Sequence, residues 1–249
     1  MDVWIALLLP FLLLLARVSA FVAVLPVFAH AGTPMRLRAG VALMLTVFFA
    51  MLLPRPPVTE VHWAVAGILL AREVLCGLAL GLAARLVYLG VQQAGRIIDR
   101  QMGFAIASIV DPATGEQVQS VSLLFEITFL LFFLAVGGHR LLILIIGRSF
   151  EVFPAAATPD LAQMAEAVTA AGTEMLLFAL KLSAPMLAAF VVLSVVLGIL
   201  ARVLPEMNIL LTSFPLRIAL GLLMAAALMP ALHDFASNLA HWLSRYLIA

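Results

Sequence analysis

Apolar positions in this chain come in long blocks of membrane-spanning length, parted by short polar punctuation. The first block, Trp4 to Phe28, carries Arg17 near its middle, and Pro10 and Pro26 interrupt its hydrogen-bond ladder. His30 to Arg38 is a short polar connection. Ala39 to Leu53 follows; as a helix of about 15 residues it reaches about 22 Å of a hydrocarbon core of about 30 Å, too short to span upright. Pro54-Arg55-Pro56-Pro57 stops it. The third block, Val61 to Val91, is broken by Arg72-Glu73 and Arg85, and its Gly77 and Gly81 have the spacing that lets a second helix approach closely. Three more blocks are Ser120 to Val136 with Glu126, Glu174 to Leu200 with Lys181 and Pro185, and Leu216 to Met229 with Arg217. After Gly137-Gly138-His139-Arg140, the brief apolar piece Leu141 to Ile146 reads as re-entrant or assembly-packed, and Pro154 to Gly172 reads as an exposed loop with a short amphipathic helix. Arg202 to Asn208 and Ser213-Phe214-Pro215 interrupt the chain before the sixth block, and the tail from Pro230 is amphipathic.

One stretch, between the third and fourth blocks, has a different grammar. It is helix-like through Met102 and reaches Gly103, where a missing Cβ lets the backbone leave helical geometry; then Phe104-Ala105-Ile106-Ala107-Ser108-Ile109-Val110 follows without a charge. Asp111-Pro112 turns the chain. Thr114 with Gln117 has the capping-box spacing, so a new helix is predicted to start near Gly115, with Glu116 in its first turn where the dipole favours a carboxylate. Connections between membrane helices are normally polar, because their unpaired backbone groups face water. Irregular apolar backbone at membrane depth is tolerated only where it is buried in protein or lines a cavity, which suggests a constriction or plug. The alternative is that Phe104 to Val110 continues the preceding helix as ordinary core.

Composition sharpens the class. The 249 residues are 65% hydrophobic and 11% charged, with mean hydropathy +1.19, values of an integral membrane protein and not of a soluble globule. Net charge is +1 without any run of like charge, which argues against nucleic acid or anionic lipid as a partner. Cys76, the single cysteine, lies in an apolar run and reads as a small buried hydrophobe. Val18-Ser19-Ala20 imitates a signal-peptidase site, but Asp2, the lack of a basic residue ahead of the apolar region, and hydrophobicity that resumes through Phe28 argue against a cleaved leader. If the first three blocks all span, Arg36, Arg38, Arg96 and Arg100 share one side, which is then cytoplasmic.

Charges inside the blocks need partners. At the bilayer centre Arg17, Arg85 and Lys181 cost about 2.5 to 3.5 kcal/mol apiece on insertion scales. Pairing relieves this, with Arg17 or Lys181 meeting Glu73, Glu126 or Glu174 within the chain or across a subunit contact. Snorkelling of the side-chain head accounts for Arg85 and Arg217 but not for Arg17. Catalysis has no visible seat: the five histidines show no zinc-like spacing with each other or with Cys76, and no GxSxG, Walker or Rossmann sequence is present, so neither metal nor cofactor is expected. Glu73 and Glu126 could relay protons in principle, but a structural pairing, for Glu73 with Arg72, is the preferred reading.

Several motifs together resemble the flagellar biosynthetic protein R (FliR) family, which includes the T component of virulence type III secretion systems. They are Arg17-Val18-Ser19 with Pro26-Val27-Phe28, Arg72-Glu73 through Gly81, and Ile98-Asp99-Arg100-Gln101-Met102-Gly103-Phe104 followed by Asp111-Pro112 and Gly115. Gly138-His139 with Ser149-Phe150, Pro205-Glu206-Met207-Asn208, and Phe214-Pro215-Leu216 match as well. Gln101-Met102-Gly103-Phe104 looks like the flagellar branch, whereas Gly137 stands where the family often has an acid. The resemblance implies an all-α membrane protein of about six to eight kinked helices and helical hairpins that build into a helical export-gate assembly, one domain over residues 1–249. It implies a non-enzymatic subunit joining FliP-like and FliQ-like membrane partners near FlhB-like and FlhA-like components, in the bacterial inner membrane at the flagellar basal body, passing unfolded protein substrates. The family places a plug at the loop matching Gly103 to Gly115. Arg17, Arg72, Glu73, Asp99, Glu126 and Lys181 are then structural or assembly charges. The rivals are a virulence export-gate component, a secondary transporter with a midplane site near Arg17, Glu73 and Glu126, and, most remote, a membrane enzyme.

Overall fold

The computed structural model describes residues 2–25, 34–53, 63–103, 120–155, 161–204 and 209–247. Every regular element among the described residues is a helix: α1 Asp2–Val24, α2 Met35–Leu52, α3 Trp63–Met102, α4 Ser120–Ala135, α5 Gly138–Val152, α6 Leu161–Val203 and α7 Ile209–Leu247. This is the all-α membrane fold expected from the apolar blocks. Helices α2, α3, α6 and α7 each hold a stretch long and apolar enough to cross a membrane, and the broken pair α4 and α5 can be counted as a fifth span.

Several elements are longer than the blocks that announced them. The 40-residue α3 and 43-residue α6 are about 60 Å long at about 1.5 Å per residue, twice a hydrocarbon core. Residues 161–172, expected as loop and short helix, belong to α6; their alanines have high helix propensity and nothing there breaks the ladder. Pro215 and Pro230 lie inside α7 without ending it, because a proline removes one ladder bond and clashes locally but packing against neighbouring helices sustains the rest. Helix α2 starts at Met35 and has 18 residues, and Leu141 to Ile146 is the middle of α5. Between α4 and α5 the chain turns at Gly137, whose φ of 85° is left-handed.

The chain divides into two compact units, Met1–Tyr88 with Gly137–Thr173 and Leu239–Ala249, and Leu89–Val136 with Glu174–Asn238. In the first, α1 packs on α2 and on α3. A Cβ at Gly77 would collide with the carbonyl oxygen of Arg17, and one at Gly81 would lie 3.0 Å from that of Phe21. The glycine pair thus receives a helix of its own chain, with Leu9, Leu13 and Leu69 sealing the contact. In the second unit the rings of Phe178 and Phe235 meet edge-on at 4.0 Å between centroids, and Phe129, fully buried on α4, lies 5.6 Å from Phe235. Truncating a core phenylalanine of this kind costs about 3–5 kcal/mol.

Candidate functional site at the end of α3

Each unit buries a charged side chain that the apolar helices could not leave unpaired. In the first, Arg17 is 1% exposed. Its Nε donates to Glu73 Oε2 at 2.6 Å; its Nη1 donates to the carbonyl oxygens of Ser149 at 2.9 Å and Phe153 at 2.8 Å. Those carbonyls close the last turn of α5, where the helix dipole favours a cation. The guanidinium carbon lies 4.4 Å from the centre of the Phe150 ring, close enough for a cation–π contribution. Of the pairings left open by the sequence, the structure forms this one, tying α1 to α3 and α5. Arg72, the neighbour expected to pair with Glu73, stands half-buried one residue away.

In the second unit the polar groups gather where α3 ends and α4 begins. Asp99, 4% exposed, sits one turn before the end of α3, where its own helix dipole is unfavourable to a carboxylate. It turns to α4 instead: Oδ1 accepts the backbone N–H of Val121 and Oδ2 that of Ser122, both at 3.0 Å. A helix N-terminus has orphan N–H donors and a positive dipole end, so a carboxylate from another helix can cap it as a local residue would. Further along the pair, Ser122 Oγ donates to the Gln92 carbonyl at 3.2 Å and Gln92 Nε2 to Glu126 Oε2 at 3.1 Å. Between these links Gly95 lets α4 come close: a Cβ there would stand 2.5 Å from the Ser122 Cα.

Helix α3 stops at Gly103, whose φ of +89° and N–H bond to the Arg100 carbonyl at 3.2 Å make a left-handed C-terminal cap. The Phe214 ring covers it, 3.3 Å from where a Cβ would be. Arg217, expected to snorkel, instead donates from Nη1 to the Gln101 carbonyl at 3.1 Å and from Nη2 to Ser194 Oγ at 3.2 Å. Freed carbonyls at a helix C-terminus hold a guanidinium more firmly than an interface does. The described residues on either side of 104–119 are therefore joined by one set of contacts within the second unit, a neck of Asp99, Gly103, Val121, Ser122, Phe214 and Arg217.

Gly103 is the one expected plug residue within the described residues; Phe104, Ala105, Ile106, Ala107, Ser108, Ile109, Val110, Asp111, Pro112 and Gly115 lie outside them, as do Thr114, Glu116 and Gln117 of the expected helix start. Asp99 is in the neck, Glu126 is held by Gln92, Arg17 and Glu73 are joined, and Lys181 is exposed on α6. Sequence reasoning did not find Gln92, Ser122, Ser194 or the tasks of Phe214 and Arg217. Phe214-Pro215-Leu216 was a motif without a role, and an arginine directly after that motif was the available signal. Among the described residues no group of three His, Cys, Asp or Glu side chains could hold a metal ion.

Comparison with known proteins supplies the lineage. The FliR of Bacillus subtilis (strain 168), named as a flagellar biosynthetic protein, is 34% identical over 233 residues, covering 92% of this chain and 89% of that protein. The flagellar biosynthetic protein FliR of Escherichia coli (strain K12) is 32% identical over 225 residues, 90% of this chain and 86% of that one. The Yop proteins translocation protein T of Yersinia pestis is 27% identical over 220 residues, 87% and 84%. The family described as bacterial export proteins, family 1, matches residues 8–242, nearly all of the helical membrane fold, with the buried Arg17, Glu73 and Asp99 inside that range. The chain belongs to the bacterial export proteins, family 1.

Proposed function

We propose that this chain is a membrane subunit of a flagellar type III protein export apparatus in the bacterial inner membrane, and that residues 1–249 work as one export-gate domain. It acts without catalysis of its own. With FliP-like and FliQ-like subunits it forms the channel at the flagellar basal body, beside FlhB-like and FlhA-like components that couple export to its energy source, and unfolded flagellar proteins pass through. The strip from Gly103 to Gly115 plugs the closed channel.

The observation that carries the plug reading is the neck. Gly103, braced by Arg217 and Phe214, stands immediately before the uncharged strip, and Asp99 holds the start of the helix that follows the whole 104–119 segment. Apolar backbone held this way is what an obstruction between helices needs, because irregular segments survive at membrane depth only inside protein or a cavity. Arg17 supports a structural and not a proton-carrying role for Glu73, since the guanidinium is also committed to backbone carbonyls of α5.

Deleting Phe104 to Ile109 is expected to make cells permeable to small solutes while native mass spectrometry still finds the assembled subunits. Tight membranes around an intact assembly would remove the plug; a chain recovered as a stable monomer without subunits would remove the gate. A virulence export apparatus is the second reading, favoured by the Yersinia relative, and the flagellar relatives' greater similarity sets it second. Complementation of a flagellar export mutant against a virulence secretion mutant separates the two.

A further inference from the structure

In the second unit α3 is held by α6, α4 and α7, and the contacts differ in kind. A Cβ at Gly90 would stand 2.8 Å from the Met175 carbonyl oxygen of α6, and one at Gly95 would stand 2.5 Å from the Ser122 Cα of α4. Both glycines face backbone, which moves only if a whole helix moves. The contact with α7 is different. There the glycine belongs to α7, and a Cβ at Gly221 would stand 2.5 Å from Sδ and 2.6 Å from Cγ of Met102, whose side chain is fully buried. Met102 is a knob in a notch, and an unbranched thioether with three rotatable bonds can leave it. Gly221, Arg217 and Phe214, successively four and three residues apart, share one side of α7 and meet Met102, Gln101 and Gly103 in turn. Each of these contacts is made through a side chain, and none is an ion pair among the described residues.

Two prolines bound the part of α7 that makes most of these contacts. Pro215 directly follows Phe214, and Pro230 has no N–H to return to the Ala226 carbonyl. Beyond Pro230 the helix is fixed: Leu232 and Ala236 are fully buried, and the Phe235 ring meets Phe178 of α6 and Phe129 of α4. Between the two prolines only Gly221 and Ala225 are buried within the chain. A missing ladder bond is where a helix bends, so the segment has a soft joint at Pro230 and its side-chain contacts toward the other end. Such a contact is either seated or released, because a knob halfway out of its notch loses its neighbours without gaining others.

Resting on the reading of this chain as an export-gate subunit with a plug after Gly103, we propose that residues 214–229 of α7 are an autoinhibitory clasp. Seated, with Met102 in the Gly221 notch, the clasp holds the end of α3 in the closed channel; it swings about Pro230 and frees that end when the channel opens. Helices α4 and α6 keep their hold on α3 in both states, because the α3 glycines there lie against backbone.

The test locks the clasp in the assembled complex. Met102→Cys with Gly221→Cys, in a chain that also carries Cys76→Ala, places two thiols at the notch. A mild chemical oxidant is expected to crosslink them in the resting complex and to stop export of a flagellar substrate, and reduction to restore it. Gly221→Leu fills the notch instead. With the subunits still recovered in native mass spectrometry, it is expected to raise small-solute permeability about tenfold, the shift that one overpacked side chain brings to a two-state balance. Exchange of the Gly103 amide should quicken in the same variant while Val121 and Ser122 stay protected, and Met102→Ala in that chain should reverse both changes by making room again. Export that continues through the crosslinked chain overturns the clasp, as does a resting pair that fails to crosslink. Gly221→Leu membranes that stay tight also overturn it when deletion of residues 104–109 makes them leak; if both stay tight, the plug reading falls as well. An unaltered chain that supports no export overturns the export reading and the clasp together.

Discussion

Arg17 and Asp99 are both charges buried in apolar helices, one in each unit, and they are neutralised by different means. Arg17 meets a formal countercharge, Glu73, and spends a second nitrogen on two carbonyls at the end of α5. Asp99 has no cation as partner among the described residues; two backbone N–H groups at the start of α4 hold it. The first arrangement is a keystone, because removing one member strands the other where water does not reach. The second is a cap, because the groups it leaves behind lie at a helix end. Buried charge in this fold therefore serves overall packing in one unit and local placement in the other, and the two predict different losses.

The largest loss is expected at the keystone. Arg17→Leu should lower the unfolding free energy of the detergent-solubilised protein by about 3–5 kcal/mol, since it leaves Glu73 buried and unpaired. Replacing both, Arg17→Met with Glu73→Leu, should return most of that stability, as apolar side chains of similar size often do. If the single variant loses less than about 1 kcal/mol, well under that range, the keystone description fails. The cap should cost less: Asp99→Ala, about 1.5–3 kcal/mol for two bonds to an ionised acceptor. Hydrogen exchange is the sharper measurement, with protection lost at the Val121 and Ser122 amides and unchanged around Ser149 and Phe153. Loss at both places would erase the contrast between the units.

These two sites also mark what could be read from the sequence. Arg17 was legible as a charge needing a partner, with Glu73 among the candidates, because a guanidinium in the middle of an apolar block has few physical escapes. That the partners include carbonyls of α5 was not, since backbone acceptors carry no residue signature. The helical membrane class was evident from apolar blocks, but the true lengths of α3, α6 and α7 were not. Polar and proline punctuation at residues 161–172 and at Pro215 looks like a boundary whether or not neighbouring helices override it. Gly103 was legible as the end of α3 because a left-handed cap leaves a glycine behind. Asp99 appeared as part of a motif, yet its task depends on α4 arriving beside it, a contact set by Gly95 and Ser122.

Gly103 offers an intermediate test on the cap side of the comparison. Gly103→Ala places a Cβ on a residue with φ of +89°, against the Phe214 ring, and should cost about 1–2 kcal/mol from the left-handed conformation alone. Phe214→Leu in the same chain relieves the ring contact but not the backbone strain, so a recovery confined to a minority of the loss is expected. Full recovery would mean that the ring, and not the backbone, demands glycine there.

Arg217 should show the smallest effect, and it decides whether the arginine belongs to the neck or merely faces the membrane edge. Its two bonds reach the Gln101 carbonyl and Ser194 Oγ, and the side chain is only half-buried. A guanidinium at a helix C-terminus contributes about 0.3–1 kcal/mol when partly exposed, so Arg217→Gln should fall within that range. Arg217→Lys keeps the charge, and a snorkelling residue would tolerate it fully. A neck residue would not, because one ammonium cannot span the carbonyl and the hydroxyl as the planar fork does. The expected signature is faster exchange of the Gly103 amide in both variants, with Val121 and Ser122 unchanged because Asp99 still caps α4. Exchange at Gly103 that stays slow in Arg217→Lys would return the residue to the membrane edge and leave Gly103 and Phe214 to hold that end of the neck.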